Sequence, residues 1–220
     1  KQVRDFQPDL GPGVVATIRT NKQLLTQRYT YQKITNYLLS LEKNIQHLNL
    51  TCAMTDISIQ LFKHQIKKLN NLQFLGLTLN KDSNISEKGY MYLGIGIREL
   101  PSLRGFRIKL EGTTITDQGI ANLVTTIKFL KRLRVLSLDL QDLSAVSDQT
   151  LLHLARAFRN AKNLESLDIK ILRVKIKDKG MNSLFKGIRR LSSLKSLTMK
   201  IISIETLSKK TSDTLPKTLK

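Results

Sequence analysis

A short pattern returns every 30 or 31 residues along most of this chain, and it restricts the possible folds more than any other feature. Leu72, Leu75, Leu77 and Leu79 stand in the order L-x-x-L-x-L-x-L, followed by ISEKG and then by Leu93, Ile97, Leu100 and Leu103. Leu103 opens the next unit, with Phe106, Ile108 and Leu110, then ITDQG, then Leu123, Ile127, Leu130 and Leu133. The third unit has Leu133, Leu136, Leu138 and Leu140, then VSDQT, then Leu154, Phe158, Ala161 and Leu164. The fourth has Leu164, Leu167, Ile169 and Ile171, then IKDKG, then Leu184, Ile188, Leu191 and Leu194. A weaker copy precedes them, from Ile45 through Leu48, Leu50 and Cys52 to MTDIS, and a truncated copy follows with Leu194, Leu197, Met199 and Ile201.

Each unit changes period once. The alternation at 75, 77 and 79 predicts a short strand with one buried face. The later spacings of three and four predict a helix with one buried stripe. A single unit cannot hide both apolar faces, so the units must stack, giving an α/β solenoid with a parallel strand ladder backed by helices. The stretch LEGTTITDQGIANLVTTIKFLKRL, residues 110–133, could pass for a catalytic loop on its glycines, threonines and acid. The repeat makes it a junction between two units.

The L-x-x-L-x-L motif, with a strand and a helix per unit, resembles the leucine-rich repeat family. The long period and the I-[ST]-[DE]-x-G turn look most like its ribonuclease-inhibitor-like branch, and the resemblance covers about residues 45–205. It implies a short horseshoe arc, with strands inside and helices outside, of the kind that usually presents a curved surface to another macromolecule and seldom catalyses. The family's turn Asn appears here only as Asn80; Glu111, Gln141, Leu172 and Ile202 occupy the matching positions.

The turns can be read residue by residue. Thr55, Ser86, Thr116 and Ser147 are expected helix N-caps, accepting a bond from an otherwise unpaired helical N–H. Asp56, Glu87, Asp117, Asp148 and Asp178 put an acid in each first turn, while Lys67, Lys68, Arg98, Lys128, Lys131, Arg132, Arg159, Lys162, Arg189 and Arg190 put bases near the helix ends. Both placements complement the helix dipole. Outside the repeats, residues 1–23 read as an extended entry segment, residues 24–44 as a helix capping the first strand, and residues 206–220 as a basic tail. The numbering opens at Lys1 and not at Met, which points to a processed form or a fragment.

Motifs that could carry chemistry are weak. VRDFQPDL, residues 3–10, faintly resembles a protein-kinase catalytic loop, but Val3 and Leu10 stand where that loop has His and Asn, and no D-F-G follows. GIGIRE, residues 94–99, lies inside a repeat helix and lacks the strand before a dinucleotide site, so its small residues are expected to allow close helix packing. His47, His64 and His153 fall in different units, and Cys52 has no second cysteine, so a zinc site lacks ligands. Cys52 takes the strand slot of Leu79 and Leu110 and is expected in the core. The reading is of a chain that is no enzyme and needs no cofactor, metal or small-molecule substrate.

The charge is the unusual total: 37 Lys and Arg against 17 Asp and Glu give +20 on 220 residues, and residues 151–200 alone hold 13 bases and 3 acids. That asymmetry favours an anionic partner. No apolar run approaches the roughly 20 residues of a membrane span. The single cysteine fits a reducing compartment.

On the concave side, one column should contain Asn49, Gly76, Arg107, Ser137, Asp168 and Thr198, and the next Thr51, Thr78, Lys109, Asp139, Lys170 and Lys200. Arg107, Lys109, Lys170 and Lys200 are its candidate binding residues, and Lys109, Asp139 and Lys170 should form an alternating charge ladder. Phe74 is the only aromatic in these columns or the one adjoining. A second candidate is the run RVKIKDK, where Arg173, Lys175, Lys177 and Lys179 crowd one edge and Lys186, Arg189 and Arg190 continue along the helix. The function expected is a scaffold or adaptor making protein–protein contacts in a larger assembly, with a basic C-terminal half suited to an acidic partner. Two alternatives stand beside it: a structural protein of a ribonucleoprotein, such as an organellar ribosome, holding RNA phosphates, and an interaction module of a larger receptor or kinase. The setting expected is intracellular, cytoplasmic or cytoskeletal, with an organelle as the alternative.

Overall fold

A computed structural model of the chain describes residues 14–20, 24–29 and 45–203. Among the described residues eight strands form one sheet, in the order β2-β1-β3-β4-β5-β6-β7-β8. Six are parallel: β3 (Ile45–Cys52), β4 (Phe74–Leu79), β5 (Gly105–Glu111), β6 (Val135–Gln141), β7 (Ser166–Val174) and β8 (Ser196–Ser203). Between them run α1 (Asp56–Ile66), α2 (Glu87–Arg98), α3 (Asp117–Val124), α4 (Asp148–Phe158) and α5 (Asp178–Ile188). This is the repeat arc that the leucine pattern demands. The register sets Leu48, Leu75, Phe106, Leu136, Leu167 and Leu197 in one row across the sheet. The first five are at most 2 % exposed. Neighbouring helices α1 to α5 pack in sequence order behind the sheet, so one core runs the length of the described repeats.

The N-terminal edge departs from the expectation. The sequence predicts a helix over residues 24–44, but β1 (Val14–Thr20) and β2 (Leu24–Tyr29) form an antiparallel pair that extends the sheet beyond β3. An uncovered first strand would leave a row of unpaired N–H and C=O groups. β1 satisfies them, as the β-branched VVATIRT composition favours, and β2 pairs in turn with β1. Residues 30–44, the kinase-like stretch 3–10 and the tail 206–220 lie outside the described residues.

The predicted caps are all present. Thr55, Ser86, Thr116 and Ser147 have extended backbone, and their hydroxyls accept from Ser58, Gly89, Gly119 and Gln149 N–H. The fifth cap position, Lys177, has no side-chain bond to its helix. Helix α3 stops early and continues as a 3-10 turn over Thr125–Phe129. There Thr125 and Thr126 donate side-chain bonds back to Ala121 and Leu123 carbonyls, at 2.6 and 2.7 Å, in competition with the backbone ladder.

The turn after each strand does not rest on a row of Asn side chains. Gly112, Asp142 and Arg173, each one residue beyond the family's Asn position, share a left-handed backbone with φ of 62°, 54° and 56°. Gly112 and Asp142 N–H then donate to the carbonyls of Gln141 and Leu172 in the following unit, each at 3.0 Å. Backbone groups thus replace the missing amides. Asn80 makes a local turn, its carbonyl accepting from Asp82 N–H at 3.2 Å.

Small residues bring the helices together, as GIGIRE suggested. A Cβ on Gly96 would lie 3.1 Å from the Cα of Lys63, and one on Gly187 only 2.5 Å from the Cα of Ala155. The obstacle at Gly187 is backbone, which cannot swing aside. Gly187→Ala should therefore force α4 and α5 apart and lower stability by about 2 kcal/mol, measured by urea denaturation, despite the better helix propensity of alanine.

Candidate functional site

The strand face turned away from the helices carries the two predicted columns in register. Asn49, Gly76, Arg107, Ser137, Asp168 and Thr198 are successive partners, as are Thr51, Thr78, Lys109, Asp139, Lys170 and Lys200. The charge ladder expected along the second column is not built by contact. Lys109 turns along its own strand to Glu111, at 2.6 Å, and Asp139 accepts from Gln141 at 2.6 Å. Residues two apart on one strand share a face, and these long side chains reach each other without crossing to the next strand. The Glu111 hydrogen bond holds the Lys109 pKa above its ordinary value, with Asp139 adding a smaller pull. In the first column, Ser137 donates to Asp168 at 3.1 Å.

The N-terminal half of this face holds an aromatic platform. The Phe74 ring stacks on His47, with centroids 5.8 Å apart, and the Arg107 guanidinium lies 5.9 Å from its centroid. Gly105 makes the space, since a Cβ there would stand 2.5 Å from the ring; Gly76 makes room instead for the Asn49 side chain. Beyond Gly105 in the same column stands Val135, 40 % exposed. The face therefore offers an apolar strip flanked by Arg107. The sequence singles out Phe74 as an isolated aromatic; Gly105, which seats its ring, is the missed signal.

The candidate basic run, residues 173–190, is divided between two edges. Arg173, Lys175 and Lys177 lie where the strands end and Lys179 in the first turn of α5, whereas Arg189 and Arg190 lie beyond the other end of that helix. Its 11 residues separate the two groups by about 16 Å. Lys186 is exposed in the last turn and, with Arg156, Arg159 and Arg190, lines a groove of about 240 Å³ between α4 and α5. Arg173 is already engaged, its guanidinium making two bonds to the Asp142 carboxylate. The hydrogen bond from Arg173 holds the Asp142 pKa below the carboxylate range.

Parallel strands and antiparallel helices sort every turn onto one of two edges. Segments 67–73, 98–104, 128–134, 159–165 and 189–195 all follow helices and together hold 13 bases and 2 acids. Segments 53–56, 80–87, 112–117, 142–148 and 175–178 all follow strands and hold 3 bases and 7 acids. The strand-start edge is therefore +11 and the strand-end edge −4. The sequence reading found several of the helix-end bases but not Arg104, Arg134 and Lys195, which with Gln73 and Glu165 form a column just before the strands. In that column each N–H of Arg104, Arg134, Glu165 and Lys195 donates to the carbonyl of the residue before it. Adding charge by turn class would have revealed the edge.

One groove on the basic edge, about 330 Å³, is lined by Arg104, Lys131, Arg132, Arg134, Asn163, Glu165 and Ser193. Glu165 accepts from Arg134 Nη1 at 2.7 Å and from Lys195 Nζ at 2.9 Å. Those bonds, the one from Lys195 foremost, hold its pKa low.

The lone cysteine is withdrawn from solvent, whereas the histidines are dispersed. Cys52 is 3 % exposed, and burial pushes its thiol up to about 12. His64 is exposed on α1, His153 half-buried on α4, and His47 belongs to the platform. Among the described residues no three His, Cys, Asp or Glu side chains converge as a metal-holding group. No helix there is long and apolar enough to cross a membrane.

No protein-family model and no curated protein matches the chain. The crystal structure of the Rad7 and Elc1 complex from yeast aligns over 78 % of this chain and 50 % of the matched one, at 14 % identity and a TM-score of 0.40. The chain thus spans about half the length of the protein it matches there.

Proposed function

We propose that this chain is a non-catalytic scaffold that joins a larger assembly by protein–protein contact through the strand face of its repeats. The Phe74 platform carries the reading. An aromatic ring held half-exposed between His47 and Arg107, with Val135 beside it, is the kind of anchor on which protein interfaces concentrate their binding energy. Its side chains stand on strands β3 to β6, whose opposite face is packed into the core, so they are held in place before a partner arrives. The surplus positive charge suits an acidic partner and would speed its encounter.

The reading is tested by capturing partners from native extract with the tagged full chain, after nuclease treatment and at high salt. Phe74→Ala should weaken the captured complex at least 10-fold, in keeping with the loss of a central aromatic anchor of about 2 kcal/mol. Circular dichroism should be unchanged, because Phe74 lies outside the core. A captured complex indifferent to Phe74→Ala, or one that nuclease abolishes, would overturn the proposal.

A further inference from the structure

The helix-end bases are too numerous to be explained by the helices they follow. A helix C-terminus carries about half a negative charge, so five of them balance roughly two to three bases. The strand-start edge has 13 bases and only 2 acids. Mutual repulsion among the remainder disfavours the free chain, and a partner that supplied the missing negative charge would relieve it.

We propose that this edge is a docking strip for an extended, carboxylate-rich segment of a partner protein, whose Asp and Glu side chains sit between bases of successive repeats. The inference rests on the scaffold reading for the class of partner, but it concerns a different surface. Glu165 displays the binding geometry within the chain itself. Its carboxylate bridges Arg134 from the preceding repeat and Lys195 from the following one, at 2.7 and 2.9 Å. Earlier in the column the acid is not repeated: Arg134 and Arg104 hold its position in the two preceding repeats. Arg104 stands between Gln73 and Arg134 in the column, and it shares the groove with Lys131 and Arg132. None of Arg104, Lys131 and Arg132 forms an ion pair among the described residues. An incoming carboxylate would bridge Arg104 and its neighbouring bases as Glu165 bridges Arg134 and Lys195.

The dimensions agree. Strands about 4.8 Å apart put Gln73 and Lys195 roughly 19 Å from each other, which an extended segment of about six residues spans. A nucleic-acid backbone fits less well. The five segments of this edge contain one aromatic residue on which a base could stack, Phe129, and Arg98 and Lys128 already lie over its ring, at 5.6 and 4.9 Å from its centroid.

The test measures fluorescence anisotropy of a labelled ten-residue glutamate peptide with the full chain, beside a uridine RNA of ten nucleotides. The wild type should bind the peptide saturably and more tightly than the RNA. Arg104→Glu with Arg132→Glu should weaken peptide binding at least 10-fold. Lys175→Glu with Lys177→Glu, on the opposite edge, should change it less than 3-fold, and Phe74→Ala should leave it unaltered. If the charge-reversed chain shows a changed circular dichroism spectrum, Arg104→Gln with Arg132→Gln should still weaken binding at least 5-fold. Absence of peptide binding, equal losses from the two edges, or tighter binding of the RNA would each overturn the proposal. Any of those results would leave the strand-face reading standing, because that is judged by the response of the captured complex to Phe74→Ala.

Discussion

Phe158→Ala should remove about 4 kcal/mol of stability and divide unfolding into two stages. Phe158 is fully buried at the end of α4. The repeat places Ile66, Ile97, Ile127 and Ile188 at the equivalent positions, so Phe158 is the largest member of a column that threads the core. Truncating a buried Phe usually lowers stability by about 3–5 kcal/mol, the sum of lost transfer energy and an unfilled cavity. In a globular core the surroundings share such a defect. Here each repeat touches only the next, and stability is close to a sum of local units and their interfaces. The defect therefore weakens the coupling of β7, α5 and β8 to the repeats before them. Urea denaturation should show a shallower or two-step transition, and hydrogen exchange should rise first over residues 166–203 while β4 and β5 stay protected. Phe158→Leu, which keeps most of the volume, should lower stability by less than about 1.5 kcal/mol and retain one transition. A single transition shifted by less than about 1 kcal/mol in the alanine variant would contradict this view of the molecule.

The apolar framework was legible because it is written in period. Leu75, Phe106, Leu136 and Leu167 align because a strand facing a buried layer must alternate, and parallel stacking leaves one register that keeps every such residue inside. Cys52 could be assigned to the core for the same reason. Residues 24–29 were misread because a short run such as LLTQRY fits either a first helical turn or a strand. What decided it was the unsatisfied edge of β3, a property of the assembled sheet that no local window contains. The candidate sites were less legible still. Column membership of Lys109 and Asp139 followed from register, but their actual partners, Glu111 and Gln141, depend on the direction each flexible side chain takes. The bases between positions 173 and 190 looked like one patch because the sequence keeps them close, and α5 then carries them to opposite edges. Arg104, Arg134 and Lys195 are far apart in the sequence and become neighbours only when the strands pair.

Four of the five acids in the first helical turns, read from the sequence as partners of the helix dipole, join one repeat to the next: Asp56, Glu87, Asp148 and, most fully, Asp117. Its carboxylate accepts from Ser147 N–H at 2.9 Å, Ser147 Oγ at 2.7 Å, Thr150 N–H at 3.0 Å and Thr150 Oγ1 at 2.6 Å. Asp56 makes the corresponding bonds to Ser86 N–H and Oγ, and Asp148 accepts from Lys177 N–H at 2.7 Å. Asp117→Ala would strand the hydroxyl of Thr150, which is 1 % exposed, at the start of α4, and leave its N–H with the Ser147 carbonyl alone. The expected loss is about 3 kcal/mol, since bonds to a charged acceptor are worth about 1.5–3 kcal/mol each and those on one carboxylate do not add fully. Asp148→Ala, which removes a single such bond, should lower stability by about 1.5 kcal/mol. The pH dependence separates this explanation from simple loss of packing. Burial alone would raise the Asp117 pKa, but the bonds from Ser147 and Thr150 prevail and hold it below its ordinary value. A carboxyl with a lowered folded-state pKa contributes its full stability above the unfolded value of roughly 4, and the contribution drains as pH falls through the folded value. The difference in urea midpoint between wild type and Asp117→Ala should stay constant from about pH 5 to pH 8 and narrow below about pH 4. A difference that persists unchanged into acid would mean that the side chain acts by filling space, and the charged link between repeats would have to be given up.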